Sequence, residues 1–266
     1  MRRLRAAAAG LTALALGAGL AVAGATSASA EPTGRWGTVT LSGASRDYTG
    51  TVTMPGFPET TFRSDSRQAT VVSGASTWQS AATPVGAAGY GSSRGQTYLN
   101  QRPNADNPNA PATTTYTFAE PTPGAQSWAF VLGDVDADRA TISATLPDGT
   151  AATAEQLGFG GTYNSCSSVT EGGWSCGRPT ADDPTPGSDQ PTWDPATRTL
   201  TGNASASDTA GASAWFSPTV PLGSLTITYT QRSGFPVYQT WFAVKTAAIS
   251  GIATLDGIPS PAPPSR

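Results

Sequence analysis

Three aspartates alternate with small apolar residues in Asp134-Val-Asp136-Ala-Asp138, directly after the apolar run Trp128-Ala-Phe130-Val-Leu132-Gly133. In a straight strand side chains alternate between faces, so all three carboxylates would share the face of Trp128, Phe130 and Leu132. Carboxylates that close repel one another unless a cation or several N–H donors sit among them, and the hard cation that oxygen ligands suit is Ca²⁺. An EF-hand loop would place glycine at 139 and glutamate at 145, whereas Arg139 and Thr145 stand there. The second reading is structural: the aspartates cap a turn and pair with Arg139 or another arginine. No other cofactor is called for.

A second group joins rings to amides. Tyr98, Tyr163, Trp174 and Trp193 lie in segments without strand alternation, beside Asn100 and Asn164. Flat rings with neighbouring amides suit recognition of sugars or polypeptides. The alternative is that these rings close the ends of a core.

Other chemistry is missing. The chain contains no histidine, which removes the commonest general base and the commonest transition-metal ligand. Gly91-Ser-Ser93-Arg-Gly95 spells the nucleophile-elbow pattern, but the histidine that would take the serine proton does not exist, so this stretch reads as a loop. A serine–lysine pair would have to use Lys245, the sole lysine, at the end of an apolar strand. A glycosidase needs only two carboxylates, so that class survives as an alternative.

The first thirty residues read as a secretory leader: Arg2, Arg3 and Arg5, a mostly apolar run from Ala6 to Ala25, then Ala28-Ser29-Ala30 before Glu31. The expectation is a secreted, extracellular protein that can associate with the cell surface and has no transmembrane anchor in its mature form. Removing the leader leaves 12 basic residues against 18 acidic ones, a net charge of −6 that disfavours nucleic acid as a partner. In an exported chain the only two cysteines, Cys166 and Cys176, are expected to form a disulfide.

The elements that must position these groups are strands. Alternation is clearest in Leu225-Thr-Ile227-Thr-Tyr229-Thr, and recurs in 48–54, 113–118 and 141–146. Segments 128–135 and 237–244 are apolar on both faces, as central covered strands are. Turn signals such as Pro147-Asp148-Gly149 and Ser233-Gly234 separate them. Helix evidence is confined to one short turn near 153–158. The pattern predicts an all-β fold, a single β-sandwich of jelly-roll or lectin-like type over residues 31–258, followed by a proline-rich tail at 259–266.

Two stretches carry a resemblance. One is Trp128 to Asp138 with Glu155-Gln-Leu157-Gly-Phe159-Gly-Gly-Thr-Tyr163-Asn164; the other is Asp208 to Val220 with Ser233-Gly-Phe235-Pro236-Val-Tyr238-Gln239. Together they resemble the lectin-like non-repetitive domain of CshA-type fibrillar adhesins of Gram-positive bacteria, over roughly residues 36–245. The resemblance implies a β-sandwich binding module for an extracellular glycoprotein or polysaccharide, without catalysis, and carries no contact residues onto this chain. Two alternatives stand beside it: a structural cell-envelope protein, and a secreted polysaccharide-active enzyme working through two carboxylates.

Overall fold

Threonine alternating with apolar residues gives an extended segment one face to bury and one that tolerates water, and β-branching favours the pleated backbone. The computed structural model describes residues 33–168, 189–203 and 211–246, and there these segments pair as two antiparallel sheets packed as a sandwich. Numbered in chain order, sheet A runs β10 (Phe159–Asn164), β13 (Ala212–Phe216), β8 (Trp128–Gly133), β15 (Tyr238–Thr246), β6 (Tyr98–Arg102) and β5 (Gln68–Val72), with β1 (Thr33–Trp36) also on β15. Sheet B runs β11 (Thr192–Asp194), β12 (Thr199–Thr201), β9 (Arg139–Thr145), β14 (Ser224–Thr230), β7 (Ala112–Phe118), β4 (Thr60–Ser64), β3 (Asp47–Thr53) and β2 (Thr38–Ala44). Among the described residues no helix is long and apolar enough to cross a membrane.

The space between the sheets is filled by the apolar halves of the alternating strands: Trp128, Phe130 and Leu132, Phe242, Tyr116, Ile142, Leu225 and Ile227 are all buried there. The other half of sheet B is a field of hydroxyls. Registered neighbours bridge the strands at Thr40–Thr51 (2.8 Å), Thr115–Thr226 (3.1 Å), Thr141–Thr199 (3.0 Å) and Thr145–Ser224 (2.8 Å), the cross-strand pairing that holds register on a wet face.

Sheet A is covered on both faces, which explains the unbroken apolar runs of β8 and β15. Its outer side carries Trp241, Val131, Ala129 and Tyr98 under a second core closed by Val85 and Tyr90, from the long connection between β5 and β6. That connection holds a short helical turn, Gly86–Tyr90, and the lone lysine rests over it, the Lys245 ammonium 4.9 Å from the Tyr90 ring centre. Ser93, the centre of the G-x-S-x-G string, is fully buried and its Oγ accepts the Gln79 N–H at 2.7 Å, so it braces the connection.

Around 153–158 the predicted helical turn is one hydrogen-bonded turn that opens with a capping box. Gln156 Oε1 accepts the Thr153 N–H (2.8 Å) while Thr153 Oγ1 accepts the Gln156 N–H (3.3 Å). It stops at Gly158, whose φ is 65° and where a Cβ would lie 1.9 Å from the Ser217 carbonyl oxygen; β10 begins at the next residue.

Six tyrosines in this core should make the fold sensitive to alkali. Burial pushes the Tyr90 and Tyr238 phenols from 10.0 up to about 12, and raises Tyr98, Tyr116, Tyr163 and Tyr229 as well. A folded-state value above the unfolded one means the stabilisation is complete below about pH 10 and is lost as pH rises through the folded values. Phenolate absorbance from these six of the chain's seven tyrosines should therefore appear in the same cooperative step as loss of structure, at about pH 11 or above. More than one phenolate forming near pH 10 in a protein that keeps its circular dichroism would contradict the core assigned to the six.

Candidate binding site

The aspartate segment does not continue β8 as a straight strand. β8 ends at Gly133, Asp134 takes a left-handed backbone (φ 63°), and Val135 then enters the core in the place that alternation would give Asp134. Asparagine and aspartate tolerate this conformation better than other side chains. The following turn is pinned by backbone bonds from Val135 N–H to the Ala212 carbonyl (3.0 Å) and from Gly202 N–H to the Asp138 carbonyl (2.7 Å). Gly202 permits that approach, since a Cβ there would lie 2.1 Å from the Asp136 carbonyl oxygen.

The turn leaves Asp136 and Asp138 buried and Asp134 half-buried. Asp138 is the anchor. Its Oδ1 accepts the Arg232 N–H at 2.7 Å, and its Oδ2 lies 3.2 Å from the Tyr229 hydroxyl, which is also within reach of the Asp134 (3.1 Å) and Val237 (3.0 Å) carbonyls. Burial, then the charges of Asp138, Asp134 and Asp136, holds the Tyr229 phenol well above its usual range, so it stays a donor. Asp134 Oδ2 accepts from Gln239 Nε2 at 3.3 Å. The Arg232 guanidinium bonds the Gly202 carbonyl (2.6 Å), so this arginine braces the turn through its backbone N–H and the carbonyls.

These bonds tie the aspartate turn to the β14–β15 connection, and a cavity of about 220 Å³ opens between them at the end of the sandwich. Asp134, Asp136 and Asp138 line one side, Ser233, Gly234, Phe235 and Val237 the other, with Arg102 at the end of β6. Phe235 is 71% exposed, the most solvent-exposed large apolar side chain among the described residues. Among the described residues no group of three or more acidic or cysteine side chains is placed to hold a metal ion.

The residues expected to present rings and amides are placed differently. Tyr98 opens β6, is 3% exposed and stacks on Trp241 at 4.5 Å. Tyr163 lies in β10, is buried and donates to Gln79 Oε1 at 2.7 Å. Both therefore belong to strands and core, not to loops. Asn164 is buried, its amide donating to the Asp189 carbonyl (2.9 Å) and its Oδ1 accepting the Cys166 N–H (2.8 Å). Trp193 is half-buried in β11, stacked on Phe159 at 5.3 Å and edge-on to Phe216 at 5.0 Å. Asn100 faces outward from β6, two residues from Arg102. Trp174 and Cys176 lie outside the described residues, so the ring at 174 and the expected Cys166–Cys176 bridge have no structural account.

Comparison with protein-family models, with curated proteins and with solved structures returns no match. The end cavity therefore rests on its own geometry. What the sequence reading overlooked is its far wall. The signal was present in Ser233-Gly-Phe235-Pro236: a large ring between glycine and proline has no strand to pack in, and a ring left at the tip of a turn faces water.

Proposed function

We propose that this chain is a secreted or surface-associated binding module that recognises a sugar of an extracellular glycoprotein or polysaccharide in the cavity between the aspartate turn and the 233–237 turn. The observation that carries the reading is the exposed Phe235 ring set across a small cavity from carboxylate oxygens. A pyranose has an apolar C–H face and a rim of hydroxyl donors, and an aromatic platform opposite directional acceptors matches both. Three carboxylates against Arg102 disfavour sulfated, phosphorylated or nucleic-acid ligands. The resemblance to CshA-type adhesin domains supports the same class, as does the leader-like start of the sequence. On this reading the Cys166–Cys176 disulfide forms on export.

Binding without catalysis is the favoured version. All three carboxylates come from one five-residue turn, and among the described residues the opposite wall supplies Ser233, Gly234, Phe235 and Val237, none of which is a carboxylate that could complete an acid–base or acid–nucleophile pair.

The test is capture of the purified chain on a panel of immobilised glycans and matrix glycoproteins. Saturable binding to a defined sugar is expected. Phe235→Ala should weaken it at least about tenfold while leaving unfolding stability within about 0.5 kcal/mol, because the ring is exposed. A blank panel, or a Phe235→Ala variant that binds as the parent does, would overturn the assignment.

A further inference from the structure

One polar row crosses the outer face of sheet A. The strand registers align Thr70 with Asn100, Asn100 with Gln239, Gln239 with Gly133, Gly133 with Ser213 and Ser213 with Tyr163. The neighbouring row is apolar and tightly covered, through Tyr98, Trp241 and Val131. Within the polar row, Gln239 is only 7% exposed, and Gln239 Oε1 and Asn100 Oδ1 are both buried oxygens with no hydrogen-bond partner.

These two oxygens belong to directly opposed residues on adjacent strands, whose Cβ atoms stand about 5 Å apart in such pairs. Gly133, on the other side of Gln239, contributes no side chain to fill the row. The orientation of the Gln239 amide is fixed by chemistry: its Nε2 donates to Asp134 Oδ2 at 3.3 Å, and turning it over would set an acceptor against the carboxylate. Asp134 reaches this face from its left-handed turn, where its carboxylate meets the Gln239 amide. Two neutral carbonyl oxygens and one carboxylate are thus brought to one place from β6, β15 and the end of β8.

Two buried carbonyl oxygens without a donor, set beside a carboxylate, ask for a donor or a positive partner, and amide carbonyls with a carboxylate are the oxygen ligands that calcium takes, with water completing its shell. We propose that Asn100 Oδ1, Gln239 Oε1 and the Asp134 carboxylate form a binding site for a hard divalent cation, Ca²⁺. The ion lies beside the sugar cavity, not among Asp134, Asp136 and Asp138, and fastens the aspartate turn to sheet A. The site is independent of the sugar-binding assignment.

Terbium is the probe, because the Tyr98–Trp241 stack lies beside the site and can sensitise its emission. Titration of the full secreted chain with Tb³⁺ under near-ultraviolet excitation should give saturable emission that Ca²⁺ displaces. Asn100→Leu and Gln239→Leu should each weaken it at least about tenfold. Gln239→Glu keeps the shape and adds a charged ligand, so it should bind Ca²⁺ about tenfold more tightly and acquire a thermal midpoint that rises with Ca²⁺ and falls with chelator, an effect no structural role predicts. No emission, or thermal midpoints indifferent to Ca²⁺ in both the parent and Gln239→Glu, would overturn the site and leave the two oxygens to water. Emission that survives both leucine variants but is lost in Asp136→Asn would also overturn it, placing the ion in the aspartate turn.

Discussion

Replacing Trp128 with alanine should cost the sandwich a large fraction of its stability. The indole is completely buried and is the hub of the core between the sheets, within 5.2 Å of the Phe57 ring centre, 5.7 Å of Phe118, 6.0 Å of Phe130 and 6.3 Å of Phe242. Truncating a buried tryptophan costs about 3–5 kcal/mol, and domains carry about 5–15 kcal/mol in total, so the loss is a large fraction of the whole. The Trp128 indole N–H has no hydrogen-bond partner, so the ring acts as an apolar body. Trp128→Phe should accordingly lose much less than Trp128→Ala, since it keeps most of the stacking and removes a buried donor that bonds nothing. Urea unfolding of the three proteins checks both statements. Equal losses for phenylalanine and alanine would contradict the role given to the ring.

Asp138→Ala is the second large effect, and it joins stability to binding. The carboxylate is 4% exposed and receives the Tyr229 hydroxyl, from the end of β14, and the Arg232 N–H, at the start of the turn that builds the far wall of the cavity. Bonds to a charged group are worth about 1.5–3 kcal/mol each, and the Tyr229 hydroxyl keeps the Asp134 and Val237 carbonyls as acceptors while the Arg232 N–H loses its own, so a loss of about 2–3 kcal/mol is expected. The 232–237 turn should also loosen and become the first site of limited proteolysis, with sugar capture abolished. Asp138→Asn keeps an acceptor for the Arg232 N–H and should lose about 1 kcal/mol. A variant Asp138→Ala with parental stability and an intact turn would show that the anchor lies elsewhere.

Much of the framework was readable because threonine alternation in β3, β7, β9 and β14 reflects one wet and one dry face. The all-β sandwich followed from those strands and from the apolar runs of β8 and β15. Legibility failed where sheet A is covered twice. In β6 and β10 the outward side chains Tyr98 and Tyr163 are buried under the β5–β6 connection, so no alternation marks them as strand residues and their rings looked like loop rings. Parity failed again at the aspartates, where the left-handed Asp134 shifts the pattern by one and sends Val135 inward. The sequence drew attention to Asp134, Asp136 and Asp138, and the structure puts all three on one wall of the cavity. Arg102 and Phe235 could not be added from spacing alone, because they arrive from elements distant in the chain.

Hydrogen–deuterium exchange of the chain, with and without the sugar that the panel identifies, tests the binding-site assignment most directly. Protection confined to 134–138 and 232–237, with sheet B unchanged, is the expected pattern. Protection over the threonine face of sheet B, with the end cavity exchanging as in the free protein, would contradict it.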